Sequence, residues 1–172
     1  MDTTLEMMKE LTEAFGVSGY EGEIRDVIAK YMSPYAAIGR DNLGSIIGRQ
    51  EGNSSGVNVM LAAHMDEIGF MVKSVTDEGY VKFLPLGGWN DQVLLAQRVI
   101  IKTCKGDIPG VIGSKPPHVL SEEERKKMVP KTDMFIDVGA KDKDEAASKM
   151  GIRPGDPVVP YSPFTVLADG AR

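Results

Sequence analysis

Val57-Asn58-Val59-Met60-Leu61-Ala62-Ala63-His64-Met65-Asp66-Glu67-Ile68-Gly69-Phe70 is the stretch that decides the fold. Its first seven residues are apolar nearly throughout and follow the polar, glycine-containing loop at residues 51–56, as expected of a strand covered on both faces of an α/β sheet. The run over residues 57–63 is therefore predicted to be the central strand. Open α/β sheets bind ligands just beyond the carboxyl ends of their strands, and that is where His64 and Asp66 stand. Neutral imidazole ligates a metal ion, and a nearby carboxylate either joins it or orients the ring. Taken alone, His-x-Asp is equally compatible with an ordinary hydrogen-bonded histidine at a strand end.

Upstream of this stretch, Leu5, Met8, Leu11 and Phe15 recur at helical spacing after the candidate caps Thr3 and Thr4, and Gly16 stops the pattern. Ser18-Gly19-Tyr20-Glu21 opens a second amphipathic helix, with Ile24, Val27, Ile28 and Tyr31 on one face and Ser33-Pro34 at its end. Both helices are expected to pack on a sheet. Short strands are expected at residues 36–38 and 45–47, joined by the turn Asp41-Asn42-Leu43-Gly44.

Downstream of Gly69 the pattern becomes strands joined by tight turns, at residues 70–75, 80–84, 99–103, 108–112 and 134–138. Such spacing predicts a small β-barrel or sandwich. Two short helices decorate it, one capped by Ser121 with Glu124 in the capping-box position, the other capped by Asp142 with Glu145 and ended by Gly151. Residues 151–157 read as a rigid turn-rich exit, and Phe164-Thr165-Val166-Leu167 as a resumed apolar strand.

Other residues invite chemistry less strongly. Strand alternation aims Glu67 away from the His64 side, and His118 follows two prolines in a turn, where a histidine is more often a hydrogen-bonding partner than a ligand. Trp89 suits a stacking platform, an interface anchor or core filling. Glu122-Glu123-Glu124 matches the acidic preference of a first helical turn better than a pair of catalytic carboxylates. Phosphate-loop, dinucleotide, zincin and serine-hydrolase motifs are absent from the sequence.

Composition bounds the function classes. The 172 residues are 42% hydrophobic and 26% charged, as in globular proteins that fold in water. A net charge of −5, with both signs interleaved, argues against nucleic acid as partner. The single cysteine, Cys104, allows neither an intrachain disulfide nor a thiolate-rich zinc cluster, so a metal here must use imidazole and carboxylate. The first residues do not resemble a signal peptide and no apolar stretch approaches membrane-spanning length, so a cytoplasmic protein without membrane contact is expected.

Residues 63–70 resemble the first metal-site motif of the dinuclear metallo-aminopeptidases, the family of glutamyl, deblocking and tetrahedral aminopeptidases, some of which carry the name cellulase or endoglucanase. Residues 11–21, 41–44, 113–118, 137–140 and 151–156 are similar to that family too, so the resemblance covers nearly the whole chain. It implies the N-terminal part of a zinc-peptidase-like α/β domain, interrupted by an inserted β-barrel-like dimerisation domain. The implied boundaries are residues 1–68 for the peptidase part, 69–163 for the insertion and 164–172 for the return.

By the same resemblance, His64 ligates one of two zinc or cobalt ions and Asp66 is the supporting catalytic acid. The implied partners are a peptide substrate and further copies of the chain. In the family, the bridging aspartate, the general-base glutamate and the remaining ligands lie in a second half that this sequence does not contain. The 172 residues alone are therefore expected to be inactive, and a non-catalytic oligomerisation module is the alternative. Glycan hydrolysis would need paired inward carboxylates, and none is identified.

Overall fold

The computed structural model describes residues 3–52 and 56–168 and divides the chain into two compact units, Met1–Glu67 with Ser162–Arg172, and Ile68–Tyr161. In the first unit, helices α1 (Thr3–Glu13) and α2 (Gly22–Met32) precede strands β1 (Ala37–Arg40) and β2 (Ile46–Arg49). Phe15, Val17 and Ile24 form the buried centre of this unit, and Lys30 of α2 pairs with Glu10 of α1 at 2.6 Å. The hairpin is antiparallel, with Ala37 opposite Arg49. Its turn is held by Asp41 Oδ1, which accepts from the Leu43 and Ser45 amides at 2.9 and 2.8 Å.

The predicted central strand is not a strand here. Residues 57–63 have no regular pairing, and Val57, Val59, Met60 and Leu61 are 81–94% exposed. An apolar sequence supplies faces to bury but not the neighbouring ladder that makes a strand, and among the described residues β1 and β2 pair only with each other. The expected strand at residues 164–167 is likewise irregular.

The second unit is a closed antiparallel barrel with strand order β3-β4-β7-β6-β5-β8. Its strands are β3 (Gly69–Val75), β4 (Val81–Leu86), β5 (Arg98–Thr103), β6 (Gly106–Gly113), β7 (Phe135–Asp137) and β8 (Pro157–Pro160). Alternation sends Phe70, Val72, Val81, Phe83, Val99, Ile101, Ile112 and Ile136 inward, where they are nearly fully buried. The β3–β4 turn requires Gly79, whose φ is +86° and whose Cβ would lie 2.6 Å from the Ala140 carbonyl oxygen.

The strand missing from the sequence reading is β8. Its first residue, Pro157, ended the stretch read as a turn-rich exit, yet Val158 and Val159 pair with β5, and Val158 also with β3, closing the barrel. Helix α3 (Glu122–Arg125) has the full Ser121–Glu124 capping box. Asp142 does accept from the Glu145 amide at 2.8 Å, but the turn that follows, Glu145–Lys149, is a π-helix rather than an α-helix. Trp89 fills the edge of the core, stacked on Phe70.

Candidate functional site

The segment Gly16 to Tyr20 and residues 65–67 lie side by side. The Glu67 amide donates to the Gly16 carbonyl at 2.7 Å, and Val17 and Glu67 form a single parallel bridge. Val17 is fully buried there. Gly16 lets Ile24 of α2 pack against this segment, because a Cβ would come within 2.6 Å of Ile24 Cγ2. The Tyr20 amide closes back on the Val17 carbonyl at 2.8 Å around Gly19, whose φ is +88°. Ser18 is thereby presented to Asp66, and its hydroxyl donates to Asp66 Oδ2. Ser18 does not cap α2; Glu21 precedes that helix and turns its carboxylate to the Gly19 amide at 2.6 Å.

His64 and Asp66 meet directly. His64 Nδ1 lies 2.9 Å from the Asp66 carbonyl oxygen and 3.1 Å from Oδ1. A carbonyl and an ionised carboxylate only accept, so Nδ1 carries the proton in the neutral ring and Nε2 keeps its lone pair. The His64 side chain is 85% exposed, leaving that lone pair open to a ligand. The Ser18 hydroxyl, followed by His64, holds the Asp66 carboxyl below its ordinary range, so Asp66 stays ionised. At Glu67 the balance is opposite: crowding by protein atoms raises its carboxyl, partly offset by a hydrogen bond from the Gly16 backbone.

The arrangement offers one imidazole ligand with an orienting carboxylate. A zinc-type site uses three or four protein ligands, and among the described residues no group of three or more His, Cys, Asp or Glu could hold a metal ion. His118 lies exposed in the single turn Pro117–Val119 of the barrel unit. Glu122, Glu123 and Glu124 are the first turn of α3, with Glu124 used in its cap. Among the described residues, no helix is long and apolar enough to cross a membrane.

Ser18 was not among the site residues expected from sequence. It is 48 positions from Asp66, and the only signal near it was its place in the stretch Gly16-Val17-Ser18-Gly19-Tyr20-Glu21. The barrel carries a groove lined by Arg98, Ile100, Pro109, Val111, Asp137 and Tyr161 among others. Register aligns three of these in one row across β5, β6 and β7, with Arg98 opposite Val111 and Val111 opposite Asp137.

The M42 glutamyl aminopeptidase family profile matches residues 44–171, and a profile named AMPT matches residues 2–28. Lysyl aminopeptidase of Pyrococcus furiosus is 39% identical over 168 residues, which are 95% of this chain and 47% of that protein. The crystal structure of a TET aminopeptidase from the marine sediment archaeon Thaumarchaeota archaeon SCGC AB-539-E09 superposes with a TM-score of 0.93 at 49% identity, covering 98% of this chain and 48% of that one. The TET1 peptidase of Pyrococcus horikoshii, described as assembling into a tetrahedron or a large octahedral shell, gives 0.81 at 38% identity, covering 95% and 48%. The chain spans about half the length of the curated relatives it matches.

Proposed function

Because the chain belongs to the M42 glutamyl aminopeptidase family, we propose that it is the N-terminal portion of a metal-dependent aminopeptidase that releases N-terminal residues from peptides, inactive by itself. The observation that carries this reading is the His64–Asp66 pair, with Nδ1 engaged by oxygen acceptors and Nε2 left for a ligand. That donor chemistry fits one ligand of a divalent zinc or cobalt site and its orienting acid. His64 would hold the ion through Nε2, and Asp66 would fix the ring. When bound, such ions polarise a scissile carbonyl and acidify water.

The uncovered run at residues 57–63 supports the same reading, since a near-continuous apolar strand belongs between neighbours in a covered sheet. The remaining ligands, the proton-moving glutamate and the flanking strands are assigned to polypeptide outside these 172 residues. A cytoplasmic location accords with the single free cysteine, Cys104.

A chimera tests the proposal. The chain, joined in frame to the C-terminal half of the Pyrococcus furiosus lysyl aminopeptidase, is expected to hydrolyse amino-acid anilides with zinc or cobalt and to lose that activity with His64→Ala. A folded chimera without activity, or one indifferent to His64→Ala, would overturn the reading.

The barrel unit, residues 68–161, is proposed as an inserted module for self-association. A two-fold contact needs a patch that complements itself, and the row Arg98–Val111–Asp137 has that character, with residues of opposite charge, about 10 Å apart in backbone position, flanking an apolar centre. Val111 and Tyr161 are 45% and 53% exposed. Light scattering should show oligomers weakened by Arg98→Asp or Asp137→Arg and regained when both are combined. A monodisperse monomer would contradict it.

A further inference from the structure

We propose that Ser18 is a positioning residue for His64, acting through Asp66 to hold the imidazole with its proton on Nδ1 and its Nε2 lone pair free. This rests on the reading of His64 as a metal ligand, and it adds the group that aims it. The geometry is a relay of two hydrogen bonds through one carboxylate. Ser18 Oγ–H donates to Oδ2 of Asp66, and His64 Nδ1–H donates to Oδ1 at 3.1 Å and to the Asp66 carbonyl at 2.9 Å.

A carboxylate that accepts at one oxygen only can rotate about its Cβ–Cγ bond and drop its partner. One held at both oxygens presents a fixed acceptor to the ring, and the bond at one ring nitrogen sets the tautomer at the other. The Ser18 hydroxyl is itself fixed from behind. The Val17–Glu67 bridge and the Glu67 amide on the Gly16 carbonyl bring this segment against residues 65–67. The buried Val17 side chain leaves the next residue to face Asp66. A serine whose only task was to start α2 would cap that helix, and Ser18 does not.

The tautomer of His64 in the 172-residue chain is readable by long-range proton–nitrogen NMR, at an alkaline pH where imidazole is neutral. The chain contains two histidines, so His118→Asn assigns the signals. The wild type is expected to show His64 mainly as the Nδ1–H form. Ser18→Ala is expected to raise the ratio of the Nε2–H to the Nδ1–H form roughly fivefold, the effect of losing one ordinary hydrogen bond. Ser18→Thr, which keeps the hydroxyl, is expected to restore the wild-type ratio. Should alanine collapse the amide dispersion, Ser18→Cys against Ser18→Thr makes the same comparison with a weak and a strong donor of similar size.

An unchanged ratio in folded Ser18→Ala or Ser18→Cys overturns the proposal. Cobalt added to the same wild-type sample separates it from the metal-ligand reading. If His64 is held as Nδ1–H in a Ser18-dependent way but its signals do not respond to cobalt, the metal reading fails and the relay stands. If cobalt acts on His64 but removing the hydroxyl leaves the tautomer unchanged, the relay fails and the metal reading stands.

Discussion

Trp89 stacks on Phe70 with ring centroids 4.7 Å apart and planes 19° from parallel, and its indole N–H donates to the Gly69 carbonyl at 2.9 Å. One side chain thus seals the barrel core and holds the first residue of β3. Trp89→Ala is expected to destabilise the barrel by about 3 kcal/mol, at the lower end for a large aromatic because Trp89 is only partly buried. Trp89→Phe keeps much of the stacking and is expected to cost about 1 kcal/mol, the share of the indole hydrogen bond. Chemical denaturation followed by circular dichroism measures both, and equal losses would show that the hydrogen bond dominates.

Asp91 anchors the turn that leads into β7, accepting from Lys131 Nζ at 2.7 Å and from the Lys131 amide at 3.1 Å. These contacts lower the Asp91 carboxyl below its ordinary value of 3.8. A lowered folded-state value means that the unfolded chain takes up the proton first on acidification. The stabilisation is therefore complete above the ordinary value and is lost as pH falls through the depressed one. The Tm difference between wild type and Asp91→Asn is expected to be constant near neutrality and to shrink in acid. A difference that grew on acidification would contradict this.

Much of the barrel was legible in the sequence, because alternating strands and turns such as Asp77-Glu78-Gly79 are local signals. β8 was hidden because Pro157 and Pro160 break local strand grammar, while its partners lie on β3 and β5. The run at residues 57–63 lacks strand structure here for the converse reason: its composition states what it could bury, and no neighbour among the described strands pairs with it. At the site, the His64–Asp66 contact spans two positions and was foreseeable, whereas the Ser18–Asp66 contact depends on main-chain docking between distant segments.

The exposed run also has a consequence for behaviour in solution. Val59 and Leu61 are 81% and 94% exposed, and extended apolar backbone with unpaired polar groups recruits other chains. Val59→Lys with Leu61→Lys is expected to reduce concentration-dependent scattering and leave barrel unfolding unchanged, since both residues belong to the other unit. Undiminished scattering would place the sticky surface elsewhere.

The central claim is that His64 offers Nε2 to a divalent metal, and calorimetric titration of the 172-residue chain with cobalt or zinc tests it most directly. With one imidazole and one supporting carboxylate on hand, binding is expected to be weak, to vanish with His64→Ala and to persist with His118→Asn. Binding unchanged by His64→Ala, or none by the wild type, would contradict the account.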